Sequence, residues 1–229
     1  MKKQPLFAVF STILFLLLAA ALSMLPSIPG SLTGPSIEAL PLSGVSSPIT
    51  AVLLNYRGYD TLLEIGVLLL AVIAVWSLRE GNLRPVEGSP RPLLLPFLRL
   101  VLPVLVLVSG YFLWIGSTRP GGAFQGGAMI GGALVLAISG SLMSRVLDHQ
   151  TALRAGLAIG LTVFIAVAAA TLAVNGQVLR YPTNSAGLWI LLIESAALIS
   201  IGLTLGALFA GGRPPLRTSE DSNRESVYE

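Results

Sequence analysis

Cysteine is absent from the 229-residue chain, lysine stops at Lys3, and histidine occurs once, at His149. The missing thiols exclude disulfides, iron–sulfur ligation and thiol catalysis within the chain, and leave its redox compartment open. One histidine in a polar loop makes no metal site or catalytic triad without further ligands, and the sequence offers none. No metal, no cofactor and no enzymatic activity is therefore expected. Charge is scarce as well: 11% of residues are charged and 54% hydrophobic, with a mean hydropathy of +0.82. Such a composition lies far outside that of soluble domains and reads as an all-α integral membrane protein. The net charge of +3 comes from basic residues spread singly between apolar runs, with no stripe for a nucleic acid to follow.

Six apolar runs are read as spans of the roughly 30 Å hydrocarbon layer: Leu6 to Leu25, Asp60 to Leu78, Leu93 to Ile115, Gly122 to Met143, Ala155 to Val174 and Gly187 to Phe209. The second is short and able to cross only with tilt, bilayer thinning or help from the preceding segment. The first, behind Lys2 and Lys3, reads as a retained anchor; a signal peptide cleaved near Ala19, Ala20 and Ala21 is the alternative. Between Pro26 and Pro48, five prolines and three glycines predict an irregular loop. Ile49 to Tyr56 is short, partly apolar and placed at the interface. The polar connector Arg79 to Arg91 marks a boundary between a two-helix module, 1–85, and a four-helix module, 93–212. The tail, 213–229, is polar throughout and is expected to be a disordered cytoplasmic segment.

Orientation follows from the fourteen basic residues. With the amino terminus inside, eleven fall on inner segments and three, Arg57, Arg119 and Arg180, on outer ones. That bias is the positive-inside pattern, and it places both termini in the cytoplasm.

Two stretches carry the chemistry. In Arg57-Gly58-Tyr59-Asp60-Thr61-Leu62-Leu63-Glu64, three ionisable residues stand at the mouth of a run that has no charge from Ile65 to Leu78. On a helix, Asp60 and Glu64 share a face with Arg57 within reach, and charge at or inside a membrane is a functional signal. The structural alternative is a capping box, with Thr61 as the cap and Glu64 three residues on. The second stretch, Arg119-Pro120-Gly121-Gly122-Ala123-Phe124-Gln125-Gly126-Gly127, continues to Gly131 and Gly132. Gly121, Gly122, Gly126, Gly127 and Gly131 are read as helix-packing positions, because glycines four apart let another helix approach closely. This span is expected at the centre of the bundle. No lysine follows the glycines, so they are not a phosphate loop. Glu194 is the one ionisable group well inside an apolar run, and it is expected to face a partner or a polar cavity, not lipid.

The first stretch resembles the "fRGfDTlgE" segment that closes the large, A-type subunit of Mrp-type multisubunit sodium/proton antiporters and that forms a small separate subunit in related membrane-bound hydrogenases. The second resembles the "PGGGFqgG" segment of the B-type subunit of those antiporters. The resemblance implies a fusion of two neighbouring antiporter pieces acting as an accessory subunit in a prokaryotic plasma membrane. Its partners would be other subunits, sodium ions, protons and the lipid bilayer. Asp60, Glu64 and Glu194 would be the ion or proton pathway candidates, with Arg57 as tuning partner. The alternatives are a membrane subunit of a related hydrogenase or respiratory oxidoreductase, or a pure scaffold. Asn55 stands where the first motif often has a carboxylate, Leu63 where glycine is usual, and Ala123 replaces the third glycine of the second motif. Ser117 and Thr118 stand near where a histidine often precedes that motif, which argues against a histidine-dependent step.

Overall fold

The structure, a computed structural model, describes residues 4–24, 33–78, 94–140, 142, 150–182 and 184–211. The polar connector, most of the loop around Arg145, Asp148 and His149, and the tail lie outside the described residues. Contacts divide the chain between Pro35 and Ser36 into two compact units. The first holds one apolar helix, α1 (Gln4–Ser23).

Every regular element among the described residues is helical. After α2 (Thr33–Glu38) come two single turns, α3 (Leu40–Ser43) and α4 (Pro48–Ala51), in place of the irregular loop expected there. The prolines cause the difference. Each of these two turns has a proline in its first positions, where the absent N–H has no intrahelical partner to lose. A π-helical turn, Val52–Tyr56, carries α4 on, so the segment assigned to the interface is helical too. The long helices are α5 (Gly58–Ser77), α6 (Leu94–Ile115), α7 (Ala123–Ser139), α8 (Gln150–Asn175) and α9 (Ala186–Phe209).

Four of them, α5, α6, α8 and α9, are long and apolar enough to cross a membrane. Of the six expected spans, α7 is shorter than predicted: its 17 residues reach about 25 Å, less than the roughly 30 Å hydrocarbon layer. In α1, the described apolar stretch is Thr12–Ala21.

The last of these helices, not the glycine-rich one, sits at the centre. More than half of α9 is buried, against about a tenth of α6, and α9 is apolar on all sides, as a helix surrounded by others must be. The glycine-rich face serves it. A methyl group added at Gly127 would lie 2.8 Å from the Ile201 side chain, one at Gly131 2.7 Å from Leu205, and one at Gly126 2.5 Å from Leu198. In the other direction, Gly202 receives Ile130 and Gly206 receives Leu134. Residue numbers rise together on both helices, so α7 and α9 run parallel. On the far side α8 runs antiparallel, with Gly160 against Ser200 and Gly156 against Leu203. Side-chain hydroxyls bind neighbouring helices together: Ser109 of α6 donates to the Gly126 carbonyl at 2.9 Å, and Ser200 donates to the Leu157 carbonyl at 2.6 Å. In lipid, where apolar burial gives little selectivity between helices, such close backbones and polar contacts set the packing.

Gly132 differs from its neighbour, with nothing within 4 Å of an added methyl. Gly127→Leu should therefore destabilise the folded chain by about 1–3 kcal/mol or prevent its assembly, whereas Gly132→Ala should leave this chain's packing intact. Thermal denaturation in detergent and blue-native electrophoresis compare the two. Equal stability of both variants with the parent would contradict the packing described.

Candidate functional site

Because α5, α7 and α9 are parallel and α6 and α8 return, the first turns of the three parallel helices gather at one end. Arg57, Arg119 and Arg180, the three basic residues assigned to the outer side, lie in the connections at that end. The site is built there from three local features.

The first is a break in the helix that leads into α5. Arg57, with φ −124° and ψ 31°, leaves the helical region, and its N–H bonds the Val52 carbonyl five residues back. Two carbonyls near the break are served by side chains. The Thr61 hydroxyl donates to Leu53 at 2.7 Å and the Tyr181 phenol to Leu54 at 3.0 Å. The capping box is thereby overturned: α5 starts at Gly58, so Thr61 already lies within the helix and spends its hydroxyl on the break. Arg57 pairs with Asp60 at 2.5 Å, both largely in the open. An exposed pair of this kind stabilises little, and it leaves Glu64, one turn further on, outside the ion pair.

The second is the start of α7. Its N-cap, Gly122, has no side chain to offer and adopts φ 107°, in the region that favours glycine. The Phe112 carbonyl holds the preceding turn by accepting from the N–H groups of both Gly116 and Gly122. Gly121 packs on that same carbonyl and on Ile115.

The third is Glu194, which is 7% exposed. Its carboxylate accepts the Ala123 N–H and lies where a methyl on Gly122 would be. One helix thus caps another: an acceptor on α9 fills the place that the N-cap of α7 leaves empty, where the helix also presents partial positive charge. Lipid-facing exposure of Glu194 is excluded, and its partner is a backbone amide.

These features share a cavity of about 210 Å³, roomy enough for several water molecules. Thr61, Glu64, Gln125 and Glu194 give it polar walls, Leu53, Leu54, Phe124 and Ile193 complete its lining, and it is partly open, with Glu64 and Gln125 exposed. Glu64 stands six residues from the start of α5 and Glu194 eight from the start of α9, about 9 and 12 Å along their axes, so the two acids sit at similar depth. Of the expected pathway residues, the structure brings Glu64 and Glu194 to one cavity and leaves Asp60 and Arg57 as an outer pair. Of the packing glycines, Gly126, Gly127 and Gly131 meet α9 side chains, Gly122 meets Glu194, and Gly121 meets the end of α6. Sequence reasoning missed Gln125, Thr61 and Tyr181 as parts of the site. Gln125 was findable as the lone polar side chain among the glycines; Tyr181 carried no signal.

A bundle of parallel and returning helices, with acids and a helix break at one end, defines a polytopic membrane protein with a polar site between its helices. Residues 93–210, just over half of the chain, match the family model described as a domain related to the MnhB subunit of Na+/H+ antiporter, and the chain belongs to that family. Among solved structures, a chain of the Mrp complex from Dietzia sp. DQ12-45-1b is similar at 20% identity and TM-score 0.64, over 96% of this chain and 27% of that one. The present chain thus spans about a quarter of that polypeptide. A chain of the membrane-bound sulfane sulfur reductase, an archaeal respiratory membrane complex, is similar at 24% identity and TM-score 0.67, over 92% of this chain and 98% of that one. No curated protein matches.

Removing the cap separates its roles. Glu194→Ala should cost about 0.5–2 kcal/mol, the usual worth of a helix N-cap, while Glu194→Gln keeps an oxygen for the Ala123 N–H and should retain most of that. Thermal denaturation of the two variants measures the difference. Identical losses would mean that the carboxylate is not held as a cap.

Proposed function

We propose that the chain is an accessory membrane subunit of a multisubunit monovalent cation (sodium)/proton antiporter, serving assembly and ion or proton conduction. The observation that carries the reading is the meeting of Glu64 and Glu194, from the two motif-bearing halves of the sequence, on one cavity. Conduction through a membrane needs acids that exchange protons or accompany cations, and acids at membrane depth mark such pathways; of the two, Glu194 is buried and Glu64 is exposed at the surface of this chain. The chain has no lysine beyond Lys3 and so no internal lysine–glutamate pair of its own. In this reading the coupled chemistry belongs to partner subunits.

In this reading residues 1–85 correspond to the closing part of the A-type antiporter polypeptide and 93–212 to the B-type one, joined in a single chain of a prokaryotic plasma membrane. Both termini are cytoplasmic and the Arg57, Arg119 and Arg180 end faces outward. The partners are other subunits, sodium ions, protons and the surrounding lipid. A membrane subunit of a related respiratory or hydrogen-evolving complex is the second reading, and one observation favours it: the similarity to the sulfane sulfur reductase chain runs over 98% of that chain's length. Iron–sulfur or hydrogenase subunits co-purifying with the tagged chain would select it.

Glu64→Gln keeps shape and hydrogen bonding and removes the exchangeable charge. Cation-dependent proton movement in membrane vesicles should fall at least about tenfold, equivalent to about 1.4 kcal/mol, with the complex still assembled. Asp60→Asn, in the ion pair that does not line the cavity, should change transport far less. Full activity of Glu64→Gln across the pH range would remove this acid from the pathway.

A further inference from the structure

Tyr181 lies outside both motifs, in the connection between α8 and α9, yet it is 4% exposed and its hydroxyl reaches 127 residues back along the chain to the Leu54 carbonyl. The connection that carries it is tightly held. Gly176 turns with φ 69°, and Leu179 adopts φ 58°, an unusual conformation for a branched residue. The Leu179 N–H is bound by the Thr171 hydroxyl at 2.9 Å, and the Arg180 carbonyl by the Asn175 amide at 2.7 Å. Leu179 is itself buried against Gly58, where an added methyl would stand 2.6 Å from its side chain. The first residue of α5 and the carbonyl before the break are thus both gripped by the same short segment. From the other side, Thr61 takes the adjacent carbonyl, that of Leu53.

An uninterrupted helix would offer those two carbonyls the N–H groups of residues 57 and 58. The break diverts the Arg57 N–H to Val52. A carbonyl without a donor away from water is costly, and the two hydroxyls supply what the backbone withdraws, the Leu54 bond buried and the Leu53 bond partly so. Burial pushes the Tyr181 phenol up from its ordinary range, so it remains a donor throughout the physiological pH range. Leu53 and Leu54 also line the cavity that Glu64 faces. Where α5 begins decides where Glu64 stands.

We infer that Tyr181 and Thr61 are positioning residues, which hold the helix break before α5 and thereby fix the placement of the Glu64 carboxylate at the cavity. The functional weight of this placement rests on the reading of Glu64 as a pathway acid; the placement itself does not. Because the chain contains no cysteine, Glu64→Cys introduces its sole thiol, and the rate of modification of that thiol by a charged methanethiosulfonate in intact membranes reports the setting of position 64 whether or not the acid conducts. Adding Tyr181→Phe to Glu64→Cys should change that rate by about threefold or more, the lower range of what one lost hydrogen bond is worth. Thr61→Val should do the same, and Thr61→Ser, which restores the hydroxyl, should bring back the parent rate. In chains retaining Glu64, Tyr181→Phe should lower transport by a similar factor. Unchanged modification rates in both Tyr181→Phe and Thr61→Val overturn the inference, as does a serine variant that behaves like valine. Should Tyr181→Phe fail to accumulate, the threonine pair alone decides. Normal transport in Glu64→Gln together with altered modification rates would overturn the pathway reading and leave the positioning role standing.

Discussion

The approach of α7 to α9 is the constraint from which the rest of the site follows. Glycine at 126, 127 and 131 lets Leu198, Ile201 and Leu205 sit where α7 side chains would otherwise be, and the same register carries on to Gly122 and Glu194. Without that closeness the carboxylate could not reach the Ala123 N–H. Packing and electrostatics here are one arrangement read at two heights along the same pair of helices: apolar side chains in glycine notches through the middle, an acid in a glycine notch at the end. Gly122 answers to both demands, since its φ suits glycine and its missing side chain makes room for the carboxylate.

Backbone polar groups show the same economy. A helix that breaks or begins within the bundle leaves amides and carbonyls without partners, and these are expensive away from water. The break before α5 is served by hydroxyls from Thr61 and Tyr181, the start of α7 by the Glu194 carboxylate, and the turn before α7 by the doubly used Phe112 carbonyl. Each donor or acceptor comes from a different stretch of chain. The cavity lies where these borrowed contacts replace a continuous helix, and that is why its walls carry oxygen atoms in an otherwise apolar bundle.

Much of this was legible in the sequence, and the remainder was hidden for definable reasons. Apolar run lengths located the long helices, and the glycines four apart marked the packing faces because spacing along a helix is a local property. The exclusion of Glu194 from lipid followed from the cost of a carboxylate there. Its partner did not, because Ala123 is 71 residues away in the chain and any buried donor would have satisfied the same argument. Thr61 shows the limit most clearly. Threonine three residues before glutamate fits a helix cap equally well, and only the break at Arg57 turns its hydroxyl toward Leu53. The central place of α9 is written in its lack of a polar face, whereas the glycine density of α7 marks a helix that packs closely without being central.

The order of the helices along the chain gives the central position of α9 a meaning for biogenesis. Every helix that α9 packs against is made before it, so the bundle is inserted around a vacancy that α9 fills. Until α9 arrives, α7 is a short helix of 17 residues with an uncapped start and a face of glycine instead of side chains, a poor candidate for stable residence in lipid by itself. Insertion of α9 supplies, in one event, the knobs for those glycines and the acceptor for that start. Assembly of the site is thus tied to the synthesis of α9: a nascent chain that stops short of it carries Glu64 but lacks Glu194 and the part of the cavity wall that α9 supplies.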